Sequence, residues 1–90
     1  MSVRICMQYF LPHLTNDQDV VEVEGKTIRE CLENFCQRYP KARRWIFRHD
    51  GELANFTDVF VNLKSTFPGE LDQPVKDDDE LFLMLMLSGG

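Results

Sequence analysis

The sequence predicts an α+β domain in which a single helix covers one face of one sheet. Three observations carry that prediction. Val3, Ile5, Met7 and Tyr9 alternate with Arg4, Cys6 and Gln8, the period of two expected of a strand with its odd face toward a core. Thr27-Ile28-Arg29-Glu30 has the form of a capping box, and Ile28, Leu32, Phe35 and Tyr39 then recur as one apolar stripe of a helix. Leu81 to Leu87 is apolar at both parities, which suits a central strand that is covered on both faces or meets a partner.

Taken in order, the first strand runs from Val3 to Phe10, and Pro12, Asn16 and Asp17 mark a loop after it. Val20-Val21-Glu22-Val23-Glu24 is a second strand, close enough in sequence to form a hairpin with the first, and Gly25 ends it. The helix stops at or near Tyr39 because Pro40 follows. Cys31 and Cys36 flank its stripe about 140° apart around the axis, so they cannot jointly hold a metal and read as small residues at the core edge. Lys41 to His49 is basic, with Trp45, Ile46 and Phe47 between the cations. The apolar trio is expected to dock a short helical turn on the core, and the arginines to form a solvated face.

Asp50-Gly51 is a turn, and Thr57 to Leu63 contains a third strand centred on Asp58-Val59-Phe60-Val61-Asn62. Pro68-Gly69 is a further turn, and Leu71-Asp72-Gln73-Pro74-Val75 is a short bridging segment. Lys76-Asp77-Asp78-Asp79-Glu80 is a polar turn that feeds the last strand. One helix and an arginine-rich segment hardly cover both faces of such a sheet. Phe60, Phe82, Met84 and Met86 are therefore expected to form a docking surface, which methionines suit because they repack easily; the alternative is a well-covered sheet or a homodimer.

Ninety residues with 43% hydrophobic and 28% charged content make one domain spanning residues 1–90 with a modest core, rather than a disordered segment. A net charge of -5 argues against nucleic-acid binding and fits a protein that meets a basic partner surface. No stretch reaches the length of a membrane span, and Arg4 and Gln8 interrupt any signal-peptide core, so a cytoplasmic location is expected. Three cysteines without C-x-x-C spacing fit reduced thiols.

Catalytic residues are not expected. His13 and His49 stand in loops outside any H-x-x-x-H or H-E-x-x-H context, and G-x-S-x-G and Gly-rich phosphate loops are absent. The Asp77-Asp78-Asp79-Glu80 run lacks the ligand spacing of a calcium loop, so no metal site is assigned. Cys6 has outward parity but no neighbouring base in sequence. What remains is the tail, Ser88-Gly89-Gly90, a thin, flexible peptide suited to threading a narrow channel and ending on the Gly90 carboxylate. A carboxylate is a poor acyl donor until it is activated, for instance as an acyl-adenylate made by an ATP-using partner.

The chain resembles the ThiS/MoaD family of ubiquitin-like sulfur carriers over essentially its whole length. The likeness rests on the opening hairpin, the capped helix ending in Tyr39-Pro40, Phe60-Val61-Asn62, Leu71-x-x-Pro74-Val75-x-Asp77-x-Asp79-Glu80-Leu81, and Gly89-Gly90. It implies the β-grasp fold, a mixed sheet of four to five strands packed on one main helix. It also implies adenylation of Gly90 by a ubiquitin-activating-type enzyme, conversion to a thiocarboxylate, and transfer of the sulfur to a biosynthetic enzyme. No bound cofactor is implied; the activating partner uses ATP. Counting back from Gly89-Gly90 by similarity to ubiquitin puts Leu81 and Leu83 in the core and turns Phe82 and Met84 toward the partner. Two departures stand out. Asp78 occupies a place where Gly is common, so a left-handed turn with some strain is expected. The apolar run Leu83 to Leu87 replaces a more Pro- and Ala-containing approach, which bears on the partner's identity. The Lys41 to Thr57 insertion and Asp50-Gly51-Glu52-Leu53 lean toward carriers that serve cysteine or homocysteine synthesis. The alternatives are a molybdopterin synthase small subunit and a protein modifier conjugated through Gly90.

Overall fold

Alternating burial in the first two strands sets the frame. The computed structural model describes residues 2–7, 19–66 and 69–85. Strand β1 (Ser2–Cys6) pairs antiparallel with β2 (Val20–Glu24), Ile5 opposite Val21 and Val3 opposite Val23, so these four side chains share the inner face. The predicted continuation of the first strand to Phe10 and the loop at Pro12, Asn16 and Asp17 lie outside the described residues. Helix α1 (Ile28–Arg38) crosses the inner face and buries Ile28, Cys31, Leu32, Phe35 and Cys36. Burying each large apolar side chain there contributes about 1.5–3 kcal/mol.

Both halves of the capping motif are present, with one shift. The Thr27 hydroxyl accepts from the Glu30 N–H at 3.2 Å, but the Glu30 carboxylate accepts from the Lys26 N–H at 2.9 Å, not from Thr27. Thr27 bridges to Pro74 instead, inside the predicted bridging segment. Gly25 explains the tight entry to α1. A Cβ there would sit 2.6 Å from the Cys31 Sγ and 2.8 Å from its backbone nitrogen.

After α1 the basic segment folds as a 3-10 turn (Pro40–Ala42) and the short helix α2 (Arg43–Ile46), and Ile46 and Phe47 dock on the core as expected. Its arginines lie exposed, as expected of a solvated face, and two of them form surface ion pairs: Arg43 bonds the Glu33 carboxylate, and Arg48 bonds Asp50 at 2.7 Å. Strand β3 (Thr57–Val61) turns through Asn62 and Leu63, at φ of 50° and 70°, into the two-residue strand β4 (Lys64–Ser65). The sequence carries no mark of that hairpin, because Asn62-Leu63 lacks the glycine that usually signals such a turn. Glu70–Asp72 is a 3-10 turn.

Strand β5 (Glu80–Leu85) is central, parallel to β1 and antiparallel to β3, and completes the mixed sheet in the order β2-β1-β5-β3-β4. Leu81 and Leu83 are fully buried, as the family likeness implies. The sheet, with α1 as the one long helix among the described residues, is the expected β-grasp arrangement.

The acidic turn before β5 is a clamp. Asp78 adopts φ 71°, the left-handed conformation that the family resemblance leads one to expect there. An Asp77 carboxylate oxygen accepts from the Ser2 N–H (2.8 Å), and the Asp78 N–H donates to the Ser2 carbonyl (2.8 Å). Asp79 accepts from the Lys76 N–H and from the Asn62 side chain, while the Asn62 side-chain oxygen accepts from the Glu80 N–H. The turn thus stitches β1, β5 and the β3–β4 hairpin into one register.

Candidate functional site: the open sheet face and the strand that leads to the tail

With α1 on the inner face, the even-numbered residues of β1, β2, β3 and β5 lie on the other. Register aligns one row across all five strands: Val20, Cys6, Phe82, Phe60 and Ser65. Phe82 and Phe60 are half-buried, Val20 is 48% exposed, and Met84, one pair further along β5 opposite Asp58, is 36% exposed. The described part of the predicted docking surface, Phe60, Phe82 and Met84, is therefore one contiguous apolar patch. Sequence parity gave Phe60 and the β5 residues. Val20 and Cys6 join them only through register, which a sequence does not display.

The surroundings of the row are acidic. The next row carries Glu22, Arg4 and Glu80, and Asp58 stands beside Met84. Arg4 is engaged by Glu80, by the Asp78 carboxylate and by the Asp78 carbonyl. Cys6 lies on the open face yet is only 6% exposed. Burial raises the pKa of its thiol, with the Glu80 charge adding to the effect and Arg4 opposing it. Burial likewise pushes Cys31 and Cys36 up to about 11. All three are neutral thiols at neutral pH and poor nucleophiles. Among the described residues no group of three or more His, Cys, Asp or Glu side chains could hold a metal ion, and His49 lies exposed in a turn. No helix among them is long and apolar enough to cross a membrane.

Met86, Ser88, Gly89 and Gly90, the other predicted site residues, lie outside the described residues, as does His13. They follow directly on β5, whose last described residue, Leu85, is held opposite Thr57 of β3. A second apolar feature flanks that point. Trp45 meets Phe56 edge-on with ring centroids 5.9 Å apart, and the Thr57 hydroxyl donates to the Trp45 carbonyl.

Known proteins share this architecture. A protein of Archaeoglobus fulgidus described as a candidate sulfur carrier is 29% identical over 82 residues, covering 89% of this chain and 93% of its own length. In the crystal structure of the Amycolatopsis orientalis BexX/CysO complex, one chain superposes with a TM-score of 0.85 at 27% identity, covering 98% of this chain and 99% of that one. The crystal structure of SAMP1 from Haloferax volcanii shares the fold at a TM-score of 0.84 and 24% identity, covering 100% of both chains. No protein-family model matches the sequence. The fold is that of a ubiquitin-like β-grasp protein. Within that class, the likeness to a protein described as a sulfur carrier and to a chain of the BexX/CysO complex agrees with the ThiS/MoaD resemblance of the sequence.

Proposed function

We propose that the chain is a sulfur carrier that docks through its open sheet face and reacts at the Gly90 carboxylate. The observation that carries this reading is the apolar row centred on Phe82 and Phe60 on the strand that runs toward Ser88-Gly89-Gly90. The likeness to the Archaeoglobus protein and to a chain of the BexX/CysO complex supports it. In the proposed cycle a ubiquitin-activating-type enzyme joins the Gly90 carboxylate to the α-phosphate of ATP and releases pyrophosphate. A hydrosulfide ion then attacks the acyl carbon; the C–S bond forms as the C–O bond to AMP breaks, and loss of the remaining proton leaves the thiocarboxylate. The resulting thiocarboxylate passes its sulfur to a biosynthetic enzyme, with cysteine or homocysteine synthesis the favoured destination. The carrier contributes recognition and a side-chain-free tail; the partners contribute catalysis and use ATP.

Incubation with the activating enzyme and ATP labelled in its α-phosphate tests the reading. The full chain is expected to acquire the label as an acyl-adenylate, and a chain lacking Gly90 is not. An unlabelled full chain would overturn the proposal. Transfer of Gly90 onto lysines of other proteins, without any thiocarboxylate, would make the chain a protein modifier instead.

A further inference from the structure

The chain has six arginines, and five bond an oxygen within the fold. Arg4 is held by Asp78 and Glu80, Arg29 by the Gly51 carbonyl and Glu52, Arg38 by the Glu22 carbonyl, Arg43 by Glu33, and Arg48 by Asp50 and Asn55. Arg44 has no such oxygen among the described residues; its guanidinium lies 6.0 Å from the centre of the Trp45 ring. Trp45 in turn meets Phe56, which is 39% exposed. An arginine with no oxygen partner among the described residues, a tryptophan and a phenylalanine thus meet on one surface. Tryptophan and arginine in particular concentrate binding energy at interfaces.

The position of this trio gives it a purpose. The Trp45 carbonyl is tied to the Thr57 hydroxyl, and Thr57 lies opposite Leu85, the last described residue before the tail. A Gly-Gly tail offers no side chains, so an enzyme that accepts it must recognise the carrier by surface within reach of the tail. The open face supplies an apolar row among carboxylates; the trio supplies an apolar pair beside a cation. We propose that Arg44, Trp45 and Phe56 are a specificity contact for the enzyme that adenylates Gly90. That enzyme meets them with an apolar pocket beside a carboxylate, the carboxylate pairing with Arg44. This rests on the carrier reading above.

The test is pyrophosphate exchange into ATP catalysed by the ubiquitin-activating-type enzyme of the same organism, with the wild-type chain and with Arg44→Glu and Phe56→Ser. Both side chains are exposed, so both variants are expected to fold, and thermal unfolding checks this. Arg44→Gln and Phe56→Leu are the milder pair should either fail. Leu63→Ser, at the 73% exposed turn between β3 and β4, is the control. Each of the two variants is expected to raise the KM for the carrier roughly tenfold with kcat unchanged, while the control matches wild type. Wild-type KM values for both variants would overturn the contact while leaving the carrier reading standing. No exchange with the wild-type chain would overturn both.

Discussion

Phe60 of β3 and Phe82 of β5 stand directly opposite each other on the face that α1 leaves open. Facing side chains of this kind have Cβ atoms about 4.5–5.5 Å apart, so the two rings form one surface rather than two exposed spots. Because both are only half-buried, part of their apolar area stays in water until a partner covers it.

Phe82→Ser should therefore weaken partner engagement far more than it disturbs the fold. The expected loss in kcat/KM for adenylation is about tenfold or more, and it should lie in KM. Met84→Ser, at the more exposed end of the patch, should act in the same direction with less effect on thermal unfolding.

Asp78 holds φ 71° and its carboxylate lies 3.6 Å from Arg4, with the Asp78 side chain 80% exposed. So exposed an ion pair contributes little, whereas the left-handed backbone costs about 1–2 kcal/mol in a residue with a Cβ. Asp78→Gly relieves that strain but frees the unfolded chain. Urea unfolding is expected to show stability unchanged or raised by up to about 1 kcal/mol. Asp79→Ala removes the acceptor of the Lys76 N–H and the Asn62 side chain and should cost about 1–3 kcal/mol.

Gly25→Ala meets the backbone nitrogen of Cys31 at 2.8 Å, an atom that α1 fixes. The expected loss is about 1–3 kcal/mol in chemical denaturation. Restoring stability with a second change at Cys31 should fail, because the backbone contact remains.

Much of this was legible in the sequence. Period two placed Val3, Ile5 and Met7 inward, the Ile28, Leu32 and Phe35 stripe placed α1, and the two-sided apolar run placed β5 in the centre. In all three the local pattern and the tertiary environment agree. The β3–β4 hairpin was not legible, because Asn62 and Leu63 take positive φ without a glycine. Cys6 could not be assigned to the apolar row until its register against Phe82 was known. That Arg44 meets no oxygen partner among the described residues was invisible for a related reason. Its neighbours Arg43 and Arg48 look the same in sequence and differ only in what the fold brings to them.

The Arg48–Asp50 pair gives a pH signature. The hydrogen bond from Arg48, followed by that from the Glu52 N–H, lowers the Asp50 carboxyl from its ordinary 3.8 to about 2. The folded value lies below the unfolded one. The pair's contribution is thus present above pH 3.8 and is lost as pH falls through about 2. NMR titration should place Asp50 near that depressed value, and Arg48→Gln should return it toward 3.8. A wild-type Asp50 titrating at its ordinary value would contradict the pairing.

The mass of the C-terminal peptide tests the central claim most directly. It is measured after the chain is expressed with its activating enzyme, ATP and a sulfur source. The expected result is a gain equal to one oxygen exchanged for one sulfur, confined to the peptide that carries Gly90 and absent when Gly90 is deleted. A terminus of unchanged mass, under conditions where the enzyme consumes ATP in the presence of the chain, would contradict it.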